Sequence, residues 1–417
     1  MIIRNILTAV GCLLATTLSA QTRLAGYEYG SATAPTWHEW QQPELLGYNK
    51  LQPHACFTSF ASEGEAKGVL PEKSSYWQSL DGKWKFHFAK NPDARPKDFF
   101  QTAYPDQGWD EVEVPMSWNI YGLQKDGSQK YGTPIYVNQW VIFKYNIAVG
   151  DWRKGVMREP PKNYTTYEYR NEVGSYRRTF TLPATWNGRE TYISFDGVDS
   201  FFYLWVNGHY VGCSKDSRDV AEFDISQWAK AGKNEVAVEV YRSSDGSFLE
   251  AQDMFRLPGI FRTVAVYSKP KVHVSDLKVI PAWHSDGTGQ LAVDLSVANV
   301  SGKNVKDYTA IFKLFANKLY GDAEGEGQTL TSTLGTLTLA KADTLTRHAD
   351  FTVASVKPWT TEEPNVYTLV CELRDKKGNT VEAVSTQTGF RTVEIRDVAA
   401  KDDEFGLAGR YFLVNGK

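Results

Sequence analysis

The amino-acid sequence predicts an all-β protein, and three observations support this fold class. Short runs rich in β-branched and aromatic residues recur along the chain, and Gly, Asn, Asp or Pro bounds most of them. Within residues 235–241 the valines alternate with other side chains at a period of two, which is typical of a strand with one face in a core. Helical periodicity is nearly absent, and only a turn at 226–231 and a short helix near 97–103 are expected.

The first element along the chain is an N-terminal segment with the layout of a secretory signal. One cationic residue, Arg4, precedes an apolar run at 6–15, and Leu-Ser-Ala at 18–20 forms a cleavage end. The run is too short to span a bilayer. A lipoprotein signal through Cys12 is the alternative, but the apolar run continues past that residue. We therefore expect residues 1–20 to be removed and the rest to be exported to the periplasm or outside a bacterial cell, without membrane attachment.

Residues 21–269 form the first predicted domain, a β-sandwich. The pair Asn207-Gly208 lies between two strand-like runs and predicts a hairpin, because a type I′ turn needs positive φ at both central residues. Residues 141–173 combine Gly, Pro and many charges, and their length indicates a functional or ordering loop. The predicted strands lie at 83–89, 175–182, 191–198, 200–206, 210–214, 234–242 and 261–268.

Residues 270–392 form the second predicted domain. After residue 269 the pattern resets into about seven short strands that end near residue 396. Turns such as those at 301–302 and 377–379 separate them. This strand spacing predicts an immunoglobulin-like sandwich.

Composition excludes two classes of partner. The chain carries 46 Lys and Arg against 49 Asp and Glu, with no run of like charge, so neither nucleic acid nor an anionic membrane fits it. A neutral, small polar ligand fits better. Most of the many aromatic residues are expected in the core, including Trp205 and Trp228, which also have the rings to stack on a sugar.

Cysteines and histidines indicate neither a disulfide framework nor a zinc site. Removal of the signal leaves Cys56, Cys213 and Cys371, an odd number at wide spacing, which we interpret as buried thiols without a catalytic role. No two histidines stand at i and i+4, the spacing typical of zinc ligands on a helix.

Four motifs between residues 195 and 262 carry a family resemblance. They read Phe-Asp-Gly-Val-Asp-Ser-Phe-Phe-Tyr-Leu-Trp-Val-Asn-Gly at 195–208, Lys-Asp-Ser-Arg at 215–218, Glu-Phe-Asp-Ile-Ser at 222–226 and Gln-Asp-Met-Phe-Arg-Leu-Pro-Gly-Ile-Phe-Arg at 252–262. In this order they resemble the N-terminal sugar-binding domain of glycoside hydrolase family 2, and within it the lac-type bacterial β-galactosidases. The resemblance implies a jelly-roll-like sandwich for residues 21–269.

The second domain and the residues after it resemble the same family. Lys-Pro-Trp-Thr at 357–360 and Glu-Pro-Asn-Val-Tyr at 363–367 are similar to the signature of its immunoglobulin-like domain, and Gly-Phe-Arg at 389–391 to the exit from that domain. Residues 410–417 resemble the strand and Asn-Gly-Lys turn that lead into the family's catalytic (β/α)8 barrel. Residues 393–417 are therefore expected to be the truncated start, a short stub, of that barrel.

The resemblance implies the N-terminal part of a retaining, exo-acting β-galactosidase that hydrolyses terminal β-galactosides in carbohydrate catabolism. Both catalytic Glu residues of such an enzyme lie in the barrel, so no catalytic residue is assigned here, and this chain alone is expected to be inactive. The implied partners are a β-galactoside or galactose-containing oligosaccharide, the missing barrel and, for the complete enzyme, further copies in a homo-oligomer. No cofactor is implied for this chain, whereas sodium and magnesium are implied for the complete enzyme.

Asp216 and Asn138 are the candidate substrate-binding residues. By resemblance, Asp216 contacts galactose hydroxyls and helps to hold the sodium ion, and Asn138 reaches the same sugar from a neighbouring loop. A short carboxylate and a short amide suit this task because each can hydrogen-bond vicinal hydroxyls in a defined geometry. The alternative for Asp216 is a turn-capping role after a strand. The residues after Asn138 depart from the family pattern.

Other charged residues near Asp216 are interpreted as structural. We expect Arg256 and Arg262 to pair with carboxylates and fix the loop, and Gly259 to allow a tight backbone corner. The carboxylates interpreted as strand ends and loop ties, rather than as an acid/base pair, are Glu222, Asp224, Glu250 and Asp253.

Three other functions stay open. The chain could be a stand-alone carbohydrate-binding or scaffold protein, one subunit of a split glycosidase, or part of a family 2 enzyme for glucuronides or mannosides. The motifs at 215–218 and 252–256 favour the galactosidase branch.

Overall fold

A computed structural model describes residues 31–42, 44–137, 171–250, 252–330 and 334–417. The predicted signal segment, Asn138 and the predicted loop as far as residue 170 lie outside these ranges. Strands dominate the described chain, in which no helix is long and apolar enough to cross a membrane.

The helical elements within these ranges are short. Residues 97–103, where a helix was expected, form turns, and residues 226–228 form the expected turn. The first segment carries Asp98 with positive φ, a backbone conformation that interrupts a helix. The α-helices are α1, Glu63–Ala66, and α2, Trp118–Tyr121; the 3-10 helices are Glu39–Gln41, Pro71–Lys73, Pro92–Ala94, Ala184–Trp186, Asp245–Phe248 and Ala400–Asp402.

The first sandwich consists of two facing antiparallel sheets. Its strands are β1 Gly47–Tyr48, β2 Trp77–Ser79, β3 Gly82–Ala89, β4 Asp110–Val114, β5 Ile135–Val137, β6 Val173–Leu182, β7 Glu190–Phe195, β8 Val198–Asp199, β9 Phe201–Val206, β10 His209–Ser214, β11 Ala221–Asp224, β12 Gly232–Tyr241, β13 Met254–Arg256, β14 Gly259–Ile260 and β15 Val264–Lys269. One sheet has the order β1-β10-β9-β12-β6-β3-β4 and the other β11-β7-β15-β2. Two small ribbons, β13-β5 and β14-β8, lie beside them.

Strand β12 shows how this sandwich is packed. Val236, Val238 and Val240 belong to the core between the two sheets, as their period-two alternation predicts. The expectation of a single buried face is wrong, because Ala237 and Tyr241 are buried on the opposite face in a second, aromatic cluster. Segments that precede β1 and β4 cover that face with Trp and Phe side chains, so the seven-stranded sheet is a central layer.

The hairpin between β9 and β10 turns as predicted. Asn207 has φ 50° and Gly208 has φ 82°, so both central residues have the positive φ that a type I′ turn requires. Asn207 also accepts a hydrogen bond from the Glu235 backbone N–H at 2.9 Å, which ties the turn to β12.

The second sandwich is immunoglobulin-like. Its strands are β16 Val272–Trp283, β17 Gly289–Asn299, β18 Val305–Ala316, β19 Gln328–Leu330, β20 Leu337–Leu339, β21 Asp343–Val353, β22 Tyr367–Arg374 and β23 Thr380–Thr388. A sheet of order β16-β17-β21 faces one of order β19-β18-β22-β23, in which β20 also pairs with β18. Aliphatic side chains around Phe312 and Phe351 fill the space between them. The all-β fold class is thereby confirmed.

The last elements form a separate ribbon. Strand β24, Val393–Val398, pairs antiparallel with β25, Gly409–Val414. Asn415 and Gly416 follow β25 with φ values of 55° and 79°. The described residues contain no (β/α)8 barrel.

Residues 51–67, here called the strap, tie the two sandwiches together. The Leu51 N–H donates to the Glu222 carbonyl of the first sandwich at 2.8 Å. The Ala55 N–H donates to the Asp276 carboxylate of the second sandwich at 2.9 Å. Phe60 then forms a β-bridge with Ala383 of β23. The strap therefore belongs structurally to both sandwiches.

The cysteines are free thiols. Cys213 and Cys371 are buried, as expected, but Cys56 is exposed, so its predicted burial is wrong. Cys56 lies in the strap at a position outside any strand, whereas the other two lie on the interior strands β10 and β22.

Candidate functional site

Asp216 lies in the loop between β10 and β11, two residues after the end of β10. Its φ is 77°, in the left-handed region that Asp tolerates better than most non-glycine residues. Its side chain is half-buried, whereas the residues on either side, Lys215 and Ser217, are buried. The loop is therefore fixed at two points around a partly accessible carboxyl group.

The first anchor is a buried ion pair. The Lys215 ammonium lies 2.7 Å from the Asp245 carboxylate, and both side chains are only 4% exposed. The same ammonium donates to the Gln42 carbonyl at 2.6 Å. Burial lowers the pKa of Lys215 and raises the pKa of Asp245, and the attraction between the two charges opposes both shifts. Such a pair holds its geometry because either charge left alone would be costly in the interior.

The second anchor is Glu250. Its carboxylate accepts hydrogen bonds from the Ser217 backbone N–H at 2.8 Å and from the Ser217 hydroxyl at 2.7 Å. Arg256 in turn donates to the Glu250 backbone carbonyl. Asp216 is thus held between an ion pair on one side and a two-point carboxylate contact on the other.

The electrostatics at Asp216 favour neutral ligands or cations. Burial and the neighbouring Asp219 carboxylate raise the pKa of Asp216, while the Lys50 charge acts in the opposite direction. An anionic ligand would meet repulsion from this carboxylate pair. Sugar hydroxyls can donate hydrogen bonds to such oxygens.

The oxygen donors at Asp216 also suit a hard monovalent or divalent cation, which binds carboxylate oxygens. Within the described part of the chain, however, no three His, Cys, Asp or Glu side chains are placed to hold a metal ion. The sodium ligand role of Asp216 therefore stays a prediction.

A small buried chamber lies behind the second anchor. Asp199 is one of its lining residues and lies 3.9 Å from Arg218. Burial and the Glu250 charge raise the pKa of Asp199 to about 7, against the opposing effect of the nearby arginines. The chamber measures about 20 Å³, room for one water molecule. Its lining residues are Asp199, Arg218, Arg242, Ser243, Ser247, Glu250 and Arg256.

Asn138 lies outside the described residues, so its role stays a prediction. Strand β5, which ends at Val137, nevertheless lies close to the Asp216 loop. Val137 pairs with Met254 of β13. The Met254 sulfur accepts a hydrogen bond from Arg218, two residues after Asp216, at 3.4 Å.

The carboxylates interpreted as structural all have structural partners. Glu222 lies 2.7 Å from His54 and accepts from the Tyr267 hydroxyl at 2.6 Å. Asp224 accepts from the Ser226 N–H at 2.8 Å. Asp253 accepts from the Tyr136 hydroxyl.

The hydrogen-bond partners of Arg256 and Arg262 differ from the carboxylates that were expected. Both donate to backbone carbonyls, Arg256 to Glu250 and Arg262 to Arg218 at 2.7 Å, rather than forming bidentate carboxylate pairs. They still fix the loops, because each guanidinium joins two chain segments. Gly259 has φ 128°, and a Cβ there would lie 2.9 Å from the Met116 carbonyl oxygen, which explains the glycine at this corner.

Sequence reasoning missed Asp199, Lys215 and Asp245. Asp199 and Lys215 lie inside the family motifs, but their importance comes from burial and from partners about 20 or more residues away. Trp205 is fully buried in the aromatic cluster, as expected, whereas Trp228 is only half-buried.

The sequence of the chain matches the models of two protein-family domains. "Glycosyl hydrolases family 2, sugar binding domain" matches residues 77–270, and "Glycosyl hydrolases family 2" matches residues 272–391. The β-galactosidase of Priestia megaterium is 38% identical over 369 residues, which cover 88% of this chain and 33% of that protein. The β-galactosidase of Pectobacterium atrosepticum is 34% identical over 384 residues, 91% of this chain and 32% of that protein. The chain thus spans about a third of the length of these curated relatives.

Solved structures share the fold at lower sequence identity. A β-glucuronidase 2 of Bacteroides uniformis superposes with a TM-score of 0.59 and 19% identity, over 82% of this chain and 34% of that one. A β-glycosidase of Bacteroides vulgatus superposes with a TM-score of 0.52 and 20% identity, over 82% of this chain and 36% of that one. The two family matches together account for most of the chain: it belongs to glycoside hydrolase family 2 and carries the sugar-binding domain and the immunoglobulin-like domain of that family.

Proposed function

We propose that this chain is the sugar-recognition part of an enzyme that hydrolyses terminal β-galactosides with retention of configuration. The observation that carries the proposal is the state of Asp216, a half-buried carboxyl group whose neighbours on both sides are anchored, Lys215 by Asp245 and Ser217 by Glu250. A binding group gains affinity from such fixation, because little conformational entropy is lost when the ligand arrives. Asp216 accepts hydrogen bonds from galactose hydroxyls, and Asn138 contributes to the same sugar.

The choice of galactoside over other family 2 sugars rests on two supports. Relatives at 38% and 34% identity are named β-galactosidases. The Asp216 and Asp219 carboxylates also disfavour a uronic acid, which carries a negative charge at neutral pH. Glucuronides are therefore poorer ligands for this site than neutral galactosides.

Hydrolysis requires catalytic carboxyl groups in addition to the sugar-binding residues assigned here. A retaining glycosidase needs two carboxyl groups about 5 Å apart, one as acid/base and one as nucleophile. Glu222 and Glu250, the two glutamates interpreted above as structural, already bind His54 and Ser217. The chain alone is therefore proposed to be inactive, and a barrel domain supplies the catalysis, with sodium bound partly by Asp216. Export and homo-oligomeric assembly are part of the same proposal.

A chimera tests this function. Residues 77–391 of this chain replace the matching segment of the Priestia megaterium relative, and hydrolysis of an aryl β-galactoside is compared with that of an aryl β-glucuronide. The folded chimera is expected to prefer the galactoside and to lose most activity on Asp216→Ala. Preference for the glucuronide would contradict the proposal. So would hydrolysis by the unmodified chain alone, whereas micromolar galactose affinity of that chain would favour a stand-alone binding protein.

A further inference from the structure

A second cavity lies at the other end of strand β10 from the Asp216 loop. It measures about 620 Å³, within the usual range of small-molecule sites, and it is open to solvent. Tyr210, near the start of β10, contributes to its wall, whereas Asp216 follows the end of that strand. Six residues of extended chain place the two positions roughly 20 Å apart. This cavity is therefore separate from the candidate galactose site.

Hydrogen bonds to backbone carbonyls hold the walls of the cavity in place. The Trp228 N–H donates to the Ile225 carbonyl at 3.0 Å, and the Asn207 side chain donates to the Trp228 carbonyl at 2.8 Å. On the opposite wall, the Asn49 side chain donates to the carbonyls of Ala32 and Val211 at 2.8 Å and 2.7 Å. The site is thus largely formed before any ligand binds.

The lining has the chemistry of a saccharide site. Trp228 and Tyr210 are half-buried and supply aromatic surface, on which the apolar face of a sugar ring can stack. Gln227 and Asp224 are exposed beside them and offer an amide and a carboxylate to hydroxyl groups. No Lys or Arg is among the described residues that line the cavity. Asp224 adds a negative charge, whereas the Glu190 carboxylate is paired with the Lys271 ammonium.

We propose that this cavity binds a neutral saccharide chain, with Trp228 as the stacking platform. The Asp224 carboxylate disfavours uronic-acid polymers by charge repulsion. The site works independently of Asp216, so one molecule can hold a polymeric carbohydrate at this surface while its galactose site stays free.

Affinity gel electrophoresis tests the proposal. The full chain is run through native gels that contain soluble β-1,4-galactan or galactomannan as neutral probes, or polygalacturonate as the anionic probe. We expect at least one neutral polymer to retard the protein and polygalacturonate not to. Trp228→Ala should abolish the retardation, Gln227→Ala should weaken it several-fold, and Asp216→Asn should leave it unchanged.

A further variant keeps the test valid if Trp228→Ala fails to fold, since Trp228 packs against the core. Trp228→Phe preserves an aromatic filler but reduces the stacking surface, so it should weaken retardation while the melting temperature stays near that of the wild type. Absence of retardation by both neutral polymers would overturn the proposal. Equal retardation of folded Trp228 and Gln227 variants would overturn it as well, without bearing on the galactose site. Loss of retardation in Asp216→Asn would also overturn it, because the binding would then belong to the Asp216 site.

Discussion

Glu250 binds Ser217 at two points, through the backbone N–H at 2.8 Å and the hydroxyl at 2.7 Å. Glu250 lies far along the chain from Ser217, at the end of a 3-10 turn, so this contact closes a loop of more than 30 residues around the Asp199 chamber. The contact fixes the residue directly after Asp216. The position of the proposed sugar ligand thus depends on a carboxylate that does not itself touch the sugar.

Removal of the Ser217 hydroxyl tests this positioning role. Ser217→Ala should lower the free energy of unfolding by about 1–2 kcal/mol, because the half-buried Glu250 carboxylate loses one of its two donors. It should also weaken galactose binding several-fold, measured by NMR titration.

The matched control for that variant is Ser128→Ala. Ser128 donates to Asp126 through the same two groups, at 2.9 Å and 2.7 Å, but in an exposed turn. It should change neither stability nor binding measurably. Equal galactose affinity of wild type and Ser217→Ala would show that Glu250 has no positioning role.

The buried Lys215–Asp245 pair predicts a large loss of stability when one charge is removed. Lys215→Met leaves Asp245 unpaired in the interior, which should cost about 3–5 kcal/mol in urea unfolding. The double variant Lys215→Met/Asp245→Asn should recover part of this loss. Arg410→Met, which breaks an exposed pair with Asp397, serves as the control and should have no measurable effect. A Lys215→Met loss no greater than that of the control would refute the anchoring role.

The pH dependence of galactose binding follows from the pKa of Asp216. Burial and Asp219 raise that pKa above the ordinary value of an aspartate. Binding through the ionised carboxylate should therefore be complete at neutral pH and weaken as pH falls through the raised pKa. Asp219→Asn removes the neighbouring charge and should move the midpoint to lower pH. An unchanged midpoint in that variant, measured by titration of affinity against pH, would argue against coupling of the two carboxylates.

His54 and Glu222 predict a pH-dependent stability of the strap. The Glu222 hydrogen bond raises the pKa of His54 despite partial burial. Burial tends to raise the pKa of Glu222, but the contacts with His54 outweigh it, so the net pKa is lowered. The His54 contribution to the free energy of unfolding is complete below the ordinary histidine pKa of about 6.5. It is lost as pH rises through the raised pKa of His54 in the folded protein. The Glu222 contribution to the free energy of unfolding is complete above the ordinary glutamate pKa. It is lost as pH falls through the lowered pKa of Glu222 in the folded protein.

The variant His54→Gln should thus destabilise the protein most at pH 5–6, by about 1–3 kcal/mol, and progressively less above neutrality. His284→Gln, at the exposed turn after β16, is the control. Urea unfolding at several pH values measures both. A His54→Gln effect that grows between pH 6 and 9 would contradict the assigned ion pair.

The comparison of sequence and structure shows what local patterns can and cannot predict. The hairpin at Asn207 and the inward valines of β12 were predictable because turn chemistry and period-two alternation are local properties. The burial of Tyr241 and Glu239 on the opposite face was not, because distant loops cover that face. The buried Glu239 carboxylate is stabilised there because the Arg95 guanidinium lies 3.1 Å away and the Tyr241 hydroxyl donates a hydrogen bond to the carboxylate. Pairs such as Lys215 and Asp245 leave no periodic signal, so their role required the folded arrangement.

The central claim is that Asp216 binds a neutral galactose ring, and saturation-transfer NMR of the purified chain tests it most directly. The protein is titrated with galactose, mannose and glucuronate, as wild type, Asp216→Asn and the exposed-turn control Asp126→Asn, each shown by circular dichroism to be folded. The account predicts a weak galactose signal that exceeds the other two, persists in Asp126→Asn and disappears in Asp216→Asn. An undiminished galactose signal in folded Asp216→Asn, or a stronger signal from glucuronate, would contradict it.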